Sequence, residues 1–227
     1  MNFIVSLLCL SMSLAFTSEV ACKDIWVCIK PSANNISIAP GQFIKVDKDS
    51  VRLDILRFYL SELTFMNEND TAWTEPQGYR LMDIADTSSL KFHSYIPDDI
   101  PFDRIRFRLG VDSLSSSTGA HTGALDPANG MYWAWHTGYI NLKIEGSCNL
   151  CPNPTKAFAL HIGGFQFPMN AERSVELMVS DPIINIQFDL ALILESILSK
   201  PLCNIMTPGE PSMRIADMAA QSFSVVK

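Results

Sequence analysis

Short segments in which apolar and polar residues alternate follow one another along most of this sequence. A period of two places every second side chain on the same face of an extended strand. Residues 105–109, Ile-Arg-Phe-Arg-Leu, show the pattern most clearly, with both arginines on the polar face. Turn-forming residues separate the segments at short spacing, as in a β-sandwich. The other predicted strands are residues 36–46, 51–65, 79–84, 140–145, 157–162, 175–179 and 183–188.

Two later segments have the spacing of helices. Residues 189–198 are apolar almost throughout and precede Lys200-Pro201, a pair that stops a helix. Residues 212–223 repeat their apolar side chains every three or four positions. Because no internal repeat or low-complexity linker divides the chain, residues 30–227 are predicted to form one all-β domain. The expected architecture is an antiparallel β-sandwich with one or two short peripheral helices.

The N-terminus has the features of an export signal. The apolar run at residues 3–16 is too short to span a membrane as a helix and fits the hydrophobic region of a signal peptide. No Lys or Arg precedes it, in contrast to a typical signal peptide. Cleavage after Ala15 or after Ala21 is expected, so residues 1–21 are interpreted as a signal peptide. The protein is therefore predicted to be periplasmic or secreted. Membrane attachment would require lipidation of Cys22, although Glu19 occupies a position where a lipoprotein signal has an apolar residue.

Cysteine usage agrees with an oxidising compartment. Removal of the signal leaves five cysteines, an odd number, at positions 22, 28, 148, 151 and 203. Cys148 and Cys151 form a single CxxC, followed by Pro152 in a segment that is typical of a loop. Structural disulfides are favoured over redox or metal chemistry, because exported proteins commonly carry them.

Charge and motif content exclude several functions. A formal net charge of −7 without a basic run disfavours nucleic acid as a partner. The carboxylates are scattered, the serines lack a nucleophile-elbow context, and the glycines form no phosphate-binding loop. The sequence therefore predicts a protein that is not an enzyme.

Residues 130–146 hold two of the four tryptophans and one of the four histidines. With a period of two, Trp133 and Trp135 would share one face of a strand and His136 the other. A kink is expected at Gly138. Two indoles on one face usually belong to a core, because each buries a large apolar area.

His161 is the strongest candidate ligand among the histidines. It lies in Phe158-Ala-Leu-His-Ile-Gly-Gly164, on the face opposite Leu160 and Ile162. Its neighbours on the same face are small, which leaves room beside the ring. With a second histidine and the tryptophans, it would suit a soft-metal site, since imidazole binds copper and zinc.

Several motifs together resemble the MbnP family, the periplasmic copper-binding proteins named from methanobactin operons. The resemblance covers about residues 35–225, including Leu56-Arg-Phe-Tyr-Leu-Ser-Glu-Leu63 and the segment from Ile215 to Phe223. The motifs in the middle of the chain are Leu109-Gly-Val-Asp-Ser113, Gly123-Ala-Leu-Asp-Pro127, Gly130-Met-Tyr-Trp-Ala-Trp135, Gly138-Tyr139, Lys143-Ile-Glu-Gly146 and His161-Ile-Gly-Gly164.

The resemblance implies an exported bacterial protein with an immunoglobulin-like β-sandwich that binds copper. In such proteins a tryptophan oxidised to kynurenine can join two histidines as a ligand. The usual partner and oxidant is a dihaem enzyme related to MauG and the cytochrome c peroxidases. Matched by motif, His161 corresponds to the family histidine, and Trp133 and Trp135 correspond to its Trp-x-Trp.

The sequence departs from the family pattern at one place. Some members have Leu-Asn-His before the tryptophan motif, where this chain has Gly110-Val-Asp-Ser-Leu114. The second imidazole would therefore come from His121 or His136, or be absent. Strand alternation favours His121, and a twist at Gly138 keeps His136 as an alternative. The alternative function is a metal-free structural or interaction β-sandwich of the cell envelope.

Overall fold

The predicted all-β sandwich is confirmed by a computed structural model, which describes residues 21–46, 48–68, 70–76, 78–135, 138–199 and 203–227. Those residues form fourteen strands in two sheets and three α-helices. The strands are β1 Cys22–Ala33, β2 Ile36–Ser37, β3 Gln42–Val46, β4 Asp49–Asn67, β5 Asp70–Thr74, β6 Tyr79–Asp83, β7 Lys91–Pro97, β8 Arg104–Leu109, β9 Ile140–Cys148, β10 Ala157–Gly163, β11 Arg173–Met178, β12 Ile183–Asp189, β13 Asn204–Ile205 and β14 Phe223–Val226. The helices are α1 Ser113–Ser117, α2 Ala191–Ser199 and α3 Glu210–Gln221.

The larger sheet is built around β4. Its strands run in the order β11-β8-β4-β9-β10-β13, and β3, β5 and β6 also pair with β4. The alternation in β4 slips because the pairing with β8 shifts register between Ser61 and Thr64, where Glu62 has a positive φ. Leu53, Phe58 and Leu60 of this strand are fully buried between the two sheets.

The smaller sheet has the order β14-β12-β1-β2, with β7 pairing on the other side of β1. Within both sheets, paired strands are antiparallel except for β1–β12 and β10–β13, which are parallel. Ile25, Val27 and Ile29 of β1 are buried, as alternation in a half-buried strand requires.

Four phenylalanines join the sheets at the centre. Phe58 and Phe107 come from the larger sheet, and Phe188 and Phe223 come from the smaller one. Phe188 stacks on Phe223 with ring centroids 4.2 Å apart, and Phe58 and Phe107 meet this pair edge-on at 5.2 and 5.3 Å. Stacked and edge-on pairs are both favourable aromatic geometries, so this cluster contributes to fixing the two sheets against each other.

Both predicted helices are present with adjusted ends. The helix predicted at residues 212–223 spans Glu210–Gln221, and Phe223 instead opens β14. The helix predicted at residues 189–198 spans Ala191–Ser199, and its predicted stop at Lys200-Pro201 lies outside the described residues. Residues 1–20, which carry most of the predicted signal peptide, also lie outside them. In the part of the chain that is described, no helix has the length and apolar character needed to cross a bilayer.

A disulfide joins Cys151, in the loop after β9, to Cys203, just before β13. It links positions separated by 52 residues and closes the region that contains β10, β11, β12 and α2. A structural disulfide was the expected role for these cysteines, and the CxxC partner Cys148 is a buried thiol.

Candidate functional site

A second apolar cluster lies on the outer face of the larger sheet, away from the main core. Its buried members come from β4, from β9, from the loop between β8 and α1, and from the segment that joins α1 to β9: Tyr59, Val111, Leu125, Met131, Trp133, Tyr139 and Ile140. Residues 131–135 and 138–140 pair as a hairpin, in which Ile140 N–H donates to the Met131 carbonyl and Trp133 N–H donates to the Gly138 carbonyl, each at 2.9 Å.

The hairpin packs directly on β10. A Cβ atom added at Gly163 would lie 2.5 Å from the Tyr139 carbonyl oxygen and 2.8 Å from the Trp133 ring. Glycine is therefore required there for the indole to approach the strand. Ser212 of α3 holds the same residue from the other side, since its hydroxyl bonds both Gly163 N–H and C=O at 3.0 Å.

The predicted strand with both tryptophans on one face is wrong. Ala134 and Trp135 form a turn, which ends the extended backbone after Trp133. As a result Trp133 is 4% exposed and belongs to the cluster, whereas Trp135 is 63% exposed at the tip. Their rings still approach each other, with centroids 5.8 Å apart. His136 lies outside the described residues, so its predicted role stays a prediction.

His161 lies on the outer face of β10, as its alternation with the buried Leu160 and Ile162 predicts. Its Nε2 is 2.6 Å from Oε1 of Glu145 on the neighbouring strand β9. Lys143, directly opposite His161, approaches the same carboxylate oxygen at 3.3 Å. His161 is 8% exposed, so its ring is largely screened from solvent, whereas Glu145 and Lys143 are partly exposed.

Burial sets the protonation state of this network. Desolvation lowers the pKa of His161, and the hydrogen bond to Glu145 opposes that shift only in part. Burial also raises the pKa of Glu145, but the contacts from His161 and Lys143 outweigh it and hold that pKa below its usual value. An ionised Glu145 can only accept, so Nε2 of a neutral His161 carries the proton and Nδ1 carries the lone pair.

The hairpin and the His161 network share one region of the sheet. Lys143 Nζ donates to the Gly130 carbonyl at 3.3 Å, where the chain enters the hairpin. Trp133 contacts the strand at Gly163, two residues beyond His161. The structure thus brings Trp133, the exposed Trp135 and the strand that carries His161 to the same face.

His121 is placed differently. It is exposed in the loop after α1, where its Nε2 lies 3.0 Å from both the Ser115 carbonyl and the Thr118 hydroxyl. Its backbone N–H donates to the Tyr139 hydroxyl at 3.0 Å, which ties the loop to the hairpin. The imidazole therefore contacts Ser115 of α1, Thr118 and the stacked ring of Tyr139, whose centroid is 6.4 Å away, rather than His161.

Comparison with known families and structures identifies the chain. The MbnP family profile matches residues 11–206, most of the sequence. The chain belongs to the MbnP family. Among solved structures it is similar to MbnP from Methylosinus trichosporium, with 13% identity, 78% of each chain covered and a TM-score of 0.56. At that identity the likeness shows a shared fold. A comparison with curated proteins gives no match.

The family resemblance implies a copper ion, which the side chains of this MbnP-family chain would have to bind. Across the described ranges, no three or more His, Cys, Asp or Glu side chains are grouped to hold a metal ion. Glu145 engages Nε2 of His161, which leaves Nδ1 as the ring nitrogen with the lone pair. Imidazole suits copper, and a carboxylate on the other ring nitrogen is the usual outer partner of a metal-bound histidine. The pair fits one ligand of a copper site with its supporting residue.

Sequence reasoning missed Glu145 and Lys143 as parts of this region. The available signal was the polar face of β9, where Lys143 and Glu145 alternate with buried Leu142 and Ile144. What the sequence did not supply was the register, which places Lys143 opposite His161 and Glu145 opposite Ala159.

Proposed function

We propose that this MbnP-family chain is an exported copper-binding protein in which Nδ1 of His161 is a metal ligand. The observation that carries the proposal is the neutral, nearly buried imidazole whose Nε2 is bound by Glu145, beside the Trp133 hairpin. Neutral imidazole is the form that binds a metal ion. Copper bound there would supply a charged, soft centre able to accept nitrogen ligands.

The chain's own residues prepare this ligand. Glu145 fixes the ring orientation and the tautomer, and Lys143 favours the ionised state of that carboxylate. Such outer partners affect affinity by about 10–100-fold in known metal sites. The resemblance implies a second imidazole, and since this chain lacks the Leu-Asn-His of some family members, His121 and His136 are the candidates for it.

Trp133 is the proposed precursor of a kynurenine ligand, because it lies against the strand that carries His161. Its oxidation by a dihaem enzyme related to MauG and the cytochrome c peroxidases is part of the proposal. Trp135, exposed beside a groove of about 340 Å³ lined by Phe165 and Met169, is where that partner can approach the indole pair.

Export is proposed with cleavage after Ala15 or Ala21. Cleavage after Ala21 would leave β1 complete, since that strand begins at Cys22. The intact mass of protein recovered from the native host tests both export and oxidation. It shows where the N-terminus lies and whether a tryptophan has gained one oxygen and lost one carbon. A retained Met1 or an unmodified mass would contradict export or oxidation, respectively.

The ligand is tested with His161→Ala and the matched control His93→Ala. His93 lies on β7 of the other sheet and contacts a carboxylate in a similar way, with Nδ1 3.4 Å from Asp24. Competition with a copper chelator should show weaker binding for His161→Ala and unchanged binding for His93→Ala. Equal affinities in wild type and His161→Ala would reject the site.

The second candidate is a metal-free interaction protein. It is favoured by the existing contacts of the histidines, since His161 is engaged by Glu145 and His121 by Ser115 and Thr118. Absence of copper binding in the native protein, with folding intact, would select this alternative.

A further inference from the structure

Three cysteines are connected at the end of β9, two by sequence and one by the disulfide. Cys148 closes β9 with a thiol that is 2% exposed, and Cys151, three residues later, forms the disulfide with Cys203. We infer that these residues form a thiol–disulfide exchange site, in which Cys148 attacks the Cys151–Cys203 bond and releases Cys203. The inference is independent of copper binding.

The local backbone allows Cys151 to pair with either neighbour. Cys151 N–H donates to the Cys148 carbonyl at 3.0 Å, which closes a tight turn over residues 148–151. Such a turn holds its first and last Cα atoms within about 7 Å, close to the separation that a disulfide requires. The Cys151–Cys203 pair has a Cα separation of 5.8 Å.

The turn is held in place around the sulfur atoms. Leu150 N–H donates to Cys148 Sγ at 3.4 Å, which fixes the position of the sulfur in the turn. The Lys156 carbonyl accepts a hydrogen bond from Cys148 N–H at 2.8 Å, and the Lys156 Nζ donates to the Cys151 carbonyl at 3.1 Å. The loop therefore presents the thiol and the disulfide from one fixed segment.

The exchange needs no external oxidant or reductant. Cys148 Sγ loses its proton and attacks Cys151 Sγ; the new Cys148–Cys151 bond forms as the Cys151–Cys203 bond breaks. The leaving electron pair stays on Cys203 Sγ, which takes up a proton. One disulfide and one thiol are present before and after the step.

The step would change how β13 is held. The disulfide anchors the residue immediately before β13, and that strand pairs with β10 only at Ala159 and Leu160. After the exchange, β13 would be held only by this pairing with β10 and by the hydrogen bond from Ala159 N–H to the Cys203 carbonyl, at 2.9 Å. No covalent bond would anchor it. A thiol would then appear at the sheet edge next to the His161 strand.

The test traps the exchanged form in the folded, exported protein. Excess alkylating reagent is added under native, mildly alkaline conditions, where the thiolate fraction is larger, and the peptides are mapped by mass spectrometry. Exchange predicts alkylated Cys203 together with a Cys148–Cys151 disulfide. Alkylated Cys148 with an intact Cys151–Cys203 bond, or no label on either residue, would overturn the inference.

Two variants identify the nucleophile. Cys148→Ser should lose the labelling of Cys203, whereas Cys28→Ser, which removes the thiol on β1, should retain it. Persistent labelling of Cys203 in Cys148→Ser, or its loss in Cys28→Ser, would show that Cys148 is not the attacking group.

Discussion

At the scale of single residues, the contact between His161 and Glu145 is the feature with the most direct chemical consequence. Burial lowers the pKa of His161 below its usual value of 6.5. The unfolded chain therefore takes up a proton, as the pH falls below about 6.5, before the folded chain does. We expect this residue to make the free energy of unfolding decrease from about pH 6.5 downward, until the pH passes the folded-state pKa.

Glu145→Gln tests the arrangement without metal. The carboxylate raises the pKa of His161, so its replacement by a neutral amide should lower that pKa further, because Lys143 remains. NMR titration of the His161 ring protons measures the change. The matched control is Glu176→Gln on β11, which breaks the ion pair of Glu176 with Arg104 on β8 and should leave the His161 titration unchanged. A higher His161 pKa in Glu145→Gln would contradict the arrangement.

At the scale of elements, the hairpin of residues 131–135 and 138–140 gives different environments to two tryptophans that look equivalent in sequence. Trp133→Phe removes part of a buried ring packed on Gly163 and should cost about 1–3 kcal/mol of unfolding free energy. Trp135→Phe changes an exposed ring and should cost less than about 0.5 kcal/mol. Denaturant unfolding of both variants measures the difference, and equal costs would contradict the different burial of the two rings.

The strands differ in how far the sequence predicts them. Alternation alone predicts β8 and β12, because their buried residues are apolar and their outward residues are polar, with the exposed Ile183 as the exception. β1 was not predicted as a strand, since it contains Lys23, Asp24 and Pro31, and its parallel partner β12 lies far along the chain. The hairpin was misread as a strand because Trp133 and Trp135 alternate, whereas the reversal of the chain depends on the turn at Ala134 and Trp135.

The same limit applies to the candidate site. His161 could be selected from its small neighbours and its motif, but its partner Glu145 depends on the register between β9 and β10. The contacts of His121 likewise depend on α1, a helix of five residues without an apolar repeat. Local patterns therefore predicted candidate ligands, while the non-local pairing decided which side chains they meet.

At the scale of the whole molecule, the Cys151–Cys203 disulfide restrains a long stretch of chain. In the chain-entropy description, closing a loop of this length stabilises the folded state by about 4 kcal/mol, because it restricts the unfolded chain. Cys151→Ser should therefore lower the unfolding free energy by about that amount. Cys28→Ser leaves the disulfide intact and is the control, with urea unfolding as the measurement.

Cys203→Ser adds a sharper comparison, because this variant can still join Cys148 to Cys151. That bond would close a loop with two intervening residues, Asn149 and Leu150, and would restrict the unfolded chain far less. We therefore expect Cys203→Ser to lose most of the stability that Cys151→Ser loses, even if one disulfide remains. Wild-type stability in Cys203→Ser would mean that the long-range bond does not stabilise the sandwich by restraining the unfolded chain.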